Sequence, residues 1–109
     1  MLGRLVEAEA LDDRRFARRF AEDKRELRSW GPERIAEALR ARGVEEAAIE
    51  GALADEGPDE VLGRATELLE RSGAAVDDDA SRARALALLA RRGFDLEIAY
   101  EAVRARERG

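Results

Sequence analysis

From Leu11 to Leu53 the apolar positions recur at helical spacing in three blocks, divided by Gly31-Pro32 and Gly43-Val44. In the first block Phe16, Phe20, Leu27 and Trp30 fall within about 40° of Phe16 at about 100° per residue, which predicts one buried stripe. Asp12 is expected to start this helix by capping the free N–H groups of its first turn, with Leu11 stapled onto Phe16. Gly31 and Pro32 stop it and open a second helix with Ile35, Ala38 and Leu39 inward. That helix runs out at Arg42 and Gly43, where Gly43 suits a left-handed residue. A third, from Glu45 to about Ala54, carries Ile49 and Leu53 at helical spacing.

The turn sequence DEGPD at residues 55–59 leads to a fourth helix, through Val61, Leu62, Ala65, Leu68 and Leu69 to about Arg71. After a loop at Ser72, Gly73 and Asp77–Asp79 come a fifth helix, Ala80 to Arg92, and a sixth, about Asp95 to Arg106. A shift of fifty residues lays Leu39-Arg40-Ala41-Arg42-Gly43-Val44-Glu45 over Leu89-Ala90-Arg91-Arg92-Gly93-Phe94-Asp95. The match falls on the same helix junction, as expected of an internal repeat. The pattern therefore predicts an all-α fold of tandem three-helix repeats, about six helices plus a short N-terminal one. Residues 12–56 form one repeat and 57–109 another. Residues 1–11, with Leu2, Leu5, Val6 and Leu11 in a stripe that lacks a start cap, read as the last helix of an upstream repeat.

Composition narrows the function. The chain has 109 residues, 45% apolar but only 5% aromatic, which suits a thin helix-on-helix core rather than a large enzyme with a roomy pocket. Cys and His are absent, which removes thiol and imidazole chemistry, disulfides, Cys/His zinc sites and the usual base of a nucleophilic triad. No phosphate-cradling glycine loop occurs. The hydroxyls of Ser29, Ser72, Ser81, Thr66 and Tyr100 have no histidine to activate them. Three adjacent aspartates, Asp77–Asp79, cannot all face one ion without a shaped loop and further ligands, so no metal and no cofactor are expected. Without a membrane-length apolar run or a signal-peptide core, the chain is expected to be a cytoplasmic monomer that is not an enzyme.

A binding surface remains. Net charge is −5, but residues 12–42 carry +3, residues 43–80 carry −10 and residues 81–109 carry +3. All the positive charge is arginine apart from Lys24. Such a bias fits bidentate recognition of phosphate or carboxylate, but the codon habit of a GC-rich genome is favoured over it by the lack of Asn and Gln and the abundance of Ala. Arg14, Arg18, Arg25 and Arg28 lie between roughly 120° and 200° from Phe16, a line on the side expected to face solvent. The third helix carries Glu45, Glu46 and Glu50, which phosphates would repel, so base reading in a major groove is not expected. Phosphate contact through the arginine line stays open.

The run Leu11-Asp12-Asp13-Arg14-Arg15-Phe16-Ala17-Arg18-Arg19-Phe20, Arg25, Gly31-Pro32-Glu33-Arg34-Ile35, Leu39, Arg42-Gly43-Val44, Ile49 and Ala52-Leu53 resembles the RecX family of recombination regulators. Leu89-Ala90-Arg91-Arg92-Gly93-Phe94 with Ile98 is similar to the last repeat of that family. The resemblance implies tandem three-helix repeats and a modulator, usually an inhibitor, of the RecA recombinase. Such a protein acts on RecA and on its filament on single-stranded DNA. The expected contact residues are Arg14, Arg18, Arg25, Arg28 and Arg34 of the middle repeat with Arg91 and Arg92 of the last. Reversing Arg18 and Arg25 to Glu is then expected to abolish inhibition with helicity unchanged. The alternative is a helical module that binds single- or double-stranded DNA through phosphates, without the recombinase.

Overall fold

In the computed structural model the backbone is described for residues 2–109 and the side chains for residues 11–109. Six helices follow one another: α1 (Leu2–Arg28), α2 (Pro32–Ala41), α3 (Glu46–Ala54), α4 (Pro58–Ser72), α5 (Asp79–Arg92) and α6 (Leu96–Arg108). They pack as two triplets, α1 with α2 and α3, and α4 with α5 and α6. The chain is elongated, 62 × 21 × 21 Å, with a radius of gyration of 16.4 Å against about 13 Å for a compact chain of this length. Each triplet thus closes its own core, and the triplets meet end to end.

The first core joins Ala17, Phe20 and Ala21 of α1 to Ile35, Ala36 and Leu39 of α2 and to Ala48, Ile49 and Ala52 of α3. The second joins Val61, Ala65, Leu68 and Leu69 to Ala85, Leu89, Phe94, Ala99, Ala102 and Val103. In both, alanines at close helix crossings sit beside a few large side chains, the packing expected of an alanine-rich, aromatic-poor chain.

The junctions follow local chemistry. Gly43 and Gly93 both take left-handed φ, +81° and +95°. In each case the next residue donates back across the turn, Val44 N–H to the Leu39 carbonyl at 3.1 Å and Phe94 N–H to that of Leu89 at 3.0 Å. The fifty-residue repeat is therefore a repeat of structure. Asp78 caps α5 in a capping box with Ser81, and Asp95 caps α6 through the Ile98 N–H. At the α2–α3 turn Arg40 donates to both oxygens of Glu46, which holds that carboxyl below its ordinary range.

Two expectations for α1 are corrected. The helix runs unbroken through Leu11 and Asp12, so Asp12 is an interior residue and not a cap. No glycine or proline interrupts residues 4–30, and continuing the helix satisfies the N–H groups that a cap would have served. The short N-terminal helix is thus continuous with the first long one. The apolar stripe at Leu2, Leu5 and Val6 lies outside the residues whose side chains are described.

The buried face is rotated as well. Phe16 is 42% and Leu27 78% exposed, while Ala17 and Ala21 are fully buried. Helices approach closely where Cβ is the whole side chain, so these small residues set the contact face of α1. Phe20 holds its place at the edge of the core, and Trp30 is half-buried.

Candidate interaction surface

The turn after α1 brings the two triplets together. Ser29 takes φ +55°, ends α1, and is followed by an extended Gly31 and by Pro32 as the first residue of α2. Gly31 N–H donates to the Arg92 carbonyl at 2.6 Å and Glu33 N–H to that of Gly93 at 3.0 Å. Side chains seal this seam. Arg34 Nη1 donates to the Arg91 carbonyl at 2.8 Å, Arg92 Nη1 to the Arg28 carbonyl at 2.8 Å, and Arg71 Nη2 to Ser29 Oγ at 2.7 Å. The last carbonyls of α1 and α5 lack partners within their helices, and the guanidinium groups supply them.

A second link is ionic. Glu56, 6% exposed, sits between Arg25 and Arg64, 12% and 20% exposed. Arg64 holds it with two N–H groups, Arg25 Nε lies 3.3 Å away, and Arg25 also donates to the Ala52 carbonyl at 2.9 Å. Arg64 in turn lies 5.4 Å over the Phe94 ring.

The seven arginines singled out from the sequence therefore separate. Arg25 is not on a solvent-facing line: it lies about 40° from Ala21 around α1 and is drawn into the Glu56 network. Arg34 and Arg92 each use one N–H on the seam. Arg18 makes a surface pair with Asp55 at 3.4 Å. Arg14, Arg28 and Arg91 are exposed, and among the described residues their side chains make no ion pair or hydrogen bond.

Three cations outside the seven lie beside this group. Lys24 stands over the rings of Phe20 and Trp30 at 5.2 and 4.9 Å, Arg42 over Phe20 at 5.0 Å, and Arg71 lines a cleft with Arg28, Arg34 and Arg92. Arg34 stacks on Trp30 at 4.4 Å. The signal present in the sequence was the spacing of Lys24, Trp30 and Arg34 across the Gly31 turn, but only the seam shows that Arg71 and Arg92 face the same cleft.

A family model described as the second three-helix domain of RecX matches residues 12–53. The regulatory protein RecX of Thermus thermophilus is 39% identical over 109 residues, covering 99% of this chain and 70% of that protein. This chain belongs to the RecX family. The regulatory protein RecX of Mycolicibacterium smegmatis is 33% identical over 110 residues, 94% of this chain and 58% of that one. That of Halalkalibacterium halodurans is 45% identical over 53 residues, about half of this chain and a fifth of its own. No solved structure matches. The similarity to the Thermus RecX spans both triplets, so the tandem three-helix architecture and the RecX relationship cover the same stretch. Among the described residues no helix is long and apolar enough to cross a membrane.

Proposed function

We propose that this RecX family member regulates the RecA recombinase, as an inhibitor, by binding RecA or its filament on DNA. The observation that carries the reading is the 39% identity, across 99% of the chain, to a protein named as a RecX regulator. In this reading the chain acts by binding, without catalysis, as two three-helix units, residues 12–56 and 57–109. An elongated rod of two units suits contact with an extended partner, because each unit presents its own exposed cations, Arg14 and Arg28 from the first and Arg91 from the second. Arg18, Arg25, Arg34 and Arg92 then act mainly by holding the two units in one orientation or by pairing on the surface.

The test is RecA-dependent ATP hydrolysis on single-stranded DNA with increasing amounts of the chain. The expected result is a dose-dependent fall, weakened at least about tenfold in half-effective concentration by Arg14→Glu with Arg91→Glu, the scale of losing two charge-assisted contacts. Unchanged hydrolysis at saturating wild-type chain overturns the reading.

A further inference from the structure

Two open clefts of about 530 and 280 Å³ adjoin on one side of the molecule and share Leu27 and Arg28. Together they bring six cations onto one strip, Arg92, Arg71, Arg34, Arg28, Lys24 and Arg42. Asp23 is the one acid lining it, and Glu67 lies 3.9 Å from Arg71 at its margin. In a chain of net charge −5 this concentration of positive charge has a cost in self-repulsion, which a bound anion would offset.

The cations are held in place. Arg34, Arg71 and Arg92 are each fixed by one hydrogen bond to the seam. Lys24, Arg34 and Arg42 lie over the rings of Trp30 and Phe20. A guanidinium has five N–H donors, so each retains most of its capacity for an oxyanion.

We propose that this strip binds a single-stranded nucleic acid along its phosphodiester backbone, a property beyond the contact with RecA. Three features favour this ligand over a small anion, an acidic peptide or a duplex. The two clefts are open to solvent and run into one another through Leu27 and Arg28, so they suit a polymer and would enclose little of a small anion. Apolar and aromatic groups, Leu27, Phe20 and Trp30, alternate with the cations as they do where bases meet the protein between phosphates. The outer face of Arg34, stacked on Trp30, offers a flat cation on which an unpaired base can lie, and bases inside a duplex are not available for that.

The experiment uses the full chain without recombinase and a fluorescein-labelled oligothymidylate of about 20 nucleotides, longer than a typical single binding site. Anisotropy is followed from 50 to 200 mM salt. The strip predicts binding at low salt with a slope of log K against log salt of about −4, from about 0.7 per phosphate neutralised by six cations. Lys24→Glu with Arg42→Glu should weaken binding at least about tenfold and flatten the slope, both groups being exposed or half-exposed, outside the cores and outside the residues assigned to the RecA contact. Arg14→Glu with Arg18→Glu changes net charge equally off the strip and should weaken binding by no more than about threefold. Arg71→Gln, which removes one charge from the cleft, should by itself reduce the steepness of the slope by about 0.7. The proposal is overturned by no binding at 50 mM salt, by equal losses in the two reversal pairs, or by polyglutamate competing as well as unlabelled oligothymidylate. Loss of DNA binding with inhibition of RecA intact confirms the strip as a separate surface. DNA binding without any effect on RecA overturns the proposed function alone.

Discussion

Gly31 and Gly93 meet backbone to backbone. A Cβ on Gly31 would collide with the Gly93 carbonyl and come within 2.6 Å of the Phe94 nitrogen. One on Gly93 would collide with the Arg34 Cβ and come within 2.5 Å of its nitrogen. The contact is what lets Gly31 and Glu33 hydrogen-bond the end of α5, so the orientation of the two triplets depends on the absence of two side chains.

Gly31→Ala should therefore cost about 1–3 kcal/mol through overpacking alone, since its φ of −81° suits alanine. Gly93→Ala should cost roughly 1–2 kcal/mol more, for the left-handed backbone. Gly43→Ala, at φ +81° but with open space around it, should show only that second component. Gly63→Ala, within α4 and equally unobstructed, should stabilise by about 0.5–1 kcal/mol. Urea denaturation of the four variants checks the order, and a Gly31→Ala chain as stable as wild type would refute the close approach.

The α5 cap gives a pH dependence. The Ser81 backbone N–H, donating to Asp78 at 2.7 Å, and then the Ser81 hydroxyl hold the Asp78 carboxyl below its ordinary value. A carboxyl lowered in the folded state stabilises fully above its unfolded value of about 3.8, and the contribution is lost as pH falls through the lower folded value. Asp78→Asn keeps a capping side chain but removes the titration. Its stability should fall less than that of wild type on acidification below about pH 4, by circular dichroism. Parallel acid curves for the two chains would contradict the assignment.

The junctions between helices were legible because glycine and proline act locally, whereas Asp12, which can cap a helix but does not stop one, misled. Gly43, Gly93, Pro32 and Pro58 fall at the junctions their backbone preferences dictate. The face of α1 was not legible from its large apolar residues, because Ala17 and Ala21, which carry little hydrophobic weight, decide how closely α3 approaches. Rotating the buried face onto them also accounts for Arg25, which neighbours Ala21 and not the solvent side. The basic strip was legible in part. Lys24, Arg28 and Arg34 belong to one local stretch, whereas Arg71 and Arg92 join them only through the Gly31 seam, a contact between residues about sixty positions apart.

That rotation can be measured. Leu27→Ala, at a site 78% exposed, should change stability by no more than about 0.5 kcal/mol. Leu39→Ala, fully buried, should cost about 2–5 kcal/mol. Ala21→Leu should also destabilise, by about 1–3 kcal/mol, because the added atoms enter the helix contact. Thermal unfolding distinguishes these outcomes. A Leu27 variant as damaged as the Leu39 variant would restore the stripe that the large residues imply.

Glu56 sets the sharpest expectation. It is the shared partner of two largely buried arginines, and one nitrogen of each, Arg25 Nε and Arg64 Nη1, already lacks a hydrogen bond. Removing the carboxylate leaves both charges uncompensated, so Glu56→Ala should cost about 3–5 kcal/mol. Arg25→Glu places a second carboxylate beside Glu56 and should destabilise the chain comparably, so the pair of reversals at Arg18 and Arg25 would lower inhibition by loosening the junction and would not leave helicity untouched at physiological temperature. Arg14→Glu, exposed and outside the network, should stay within about 0.5 kcal/mol of wild type. Replacing Glu56, Arg25 and Arg64 together by Leu, Met and Met should recover most of the loss, since a buried ionic cluster exchanged for apolar side chains of similar volume is often neutral. Urea unfolding of the single, double and triple variants decides the matter. A triple variant no more stable than Glu56→Ala would show that the network holds the junction by geometry that apolar packing does not replace.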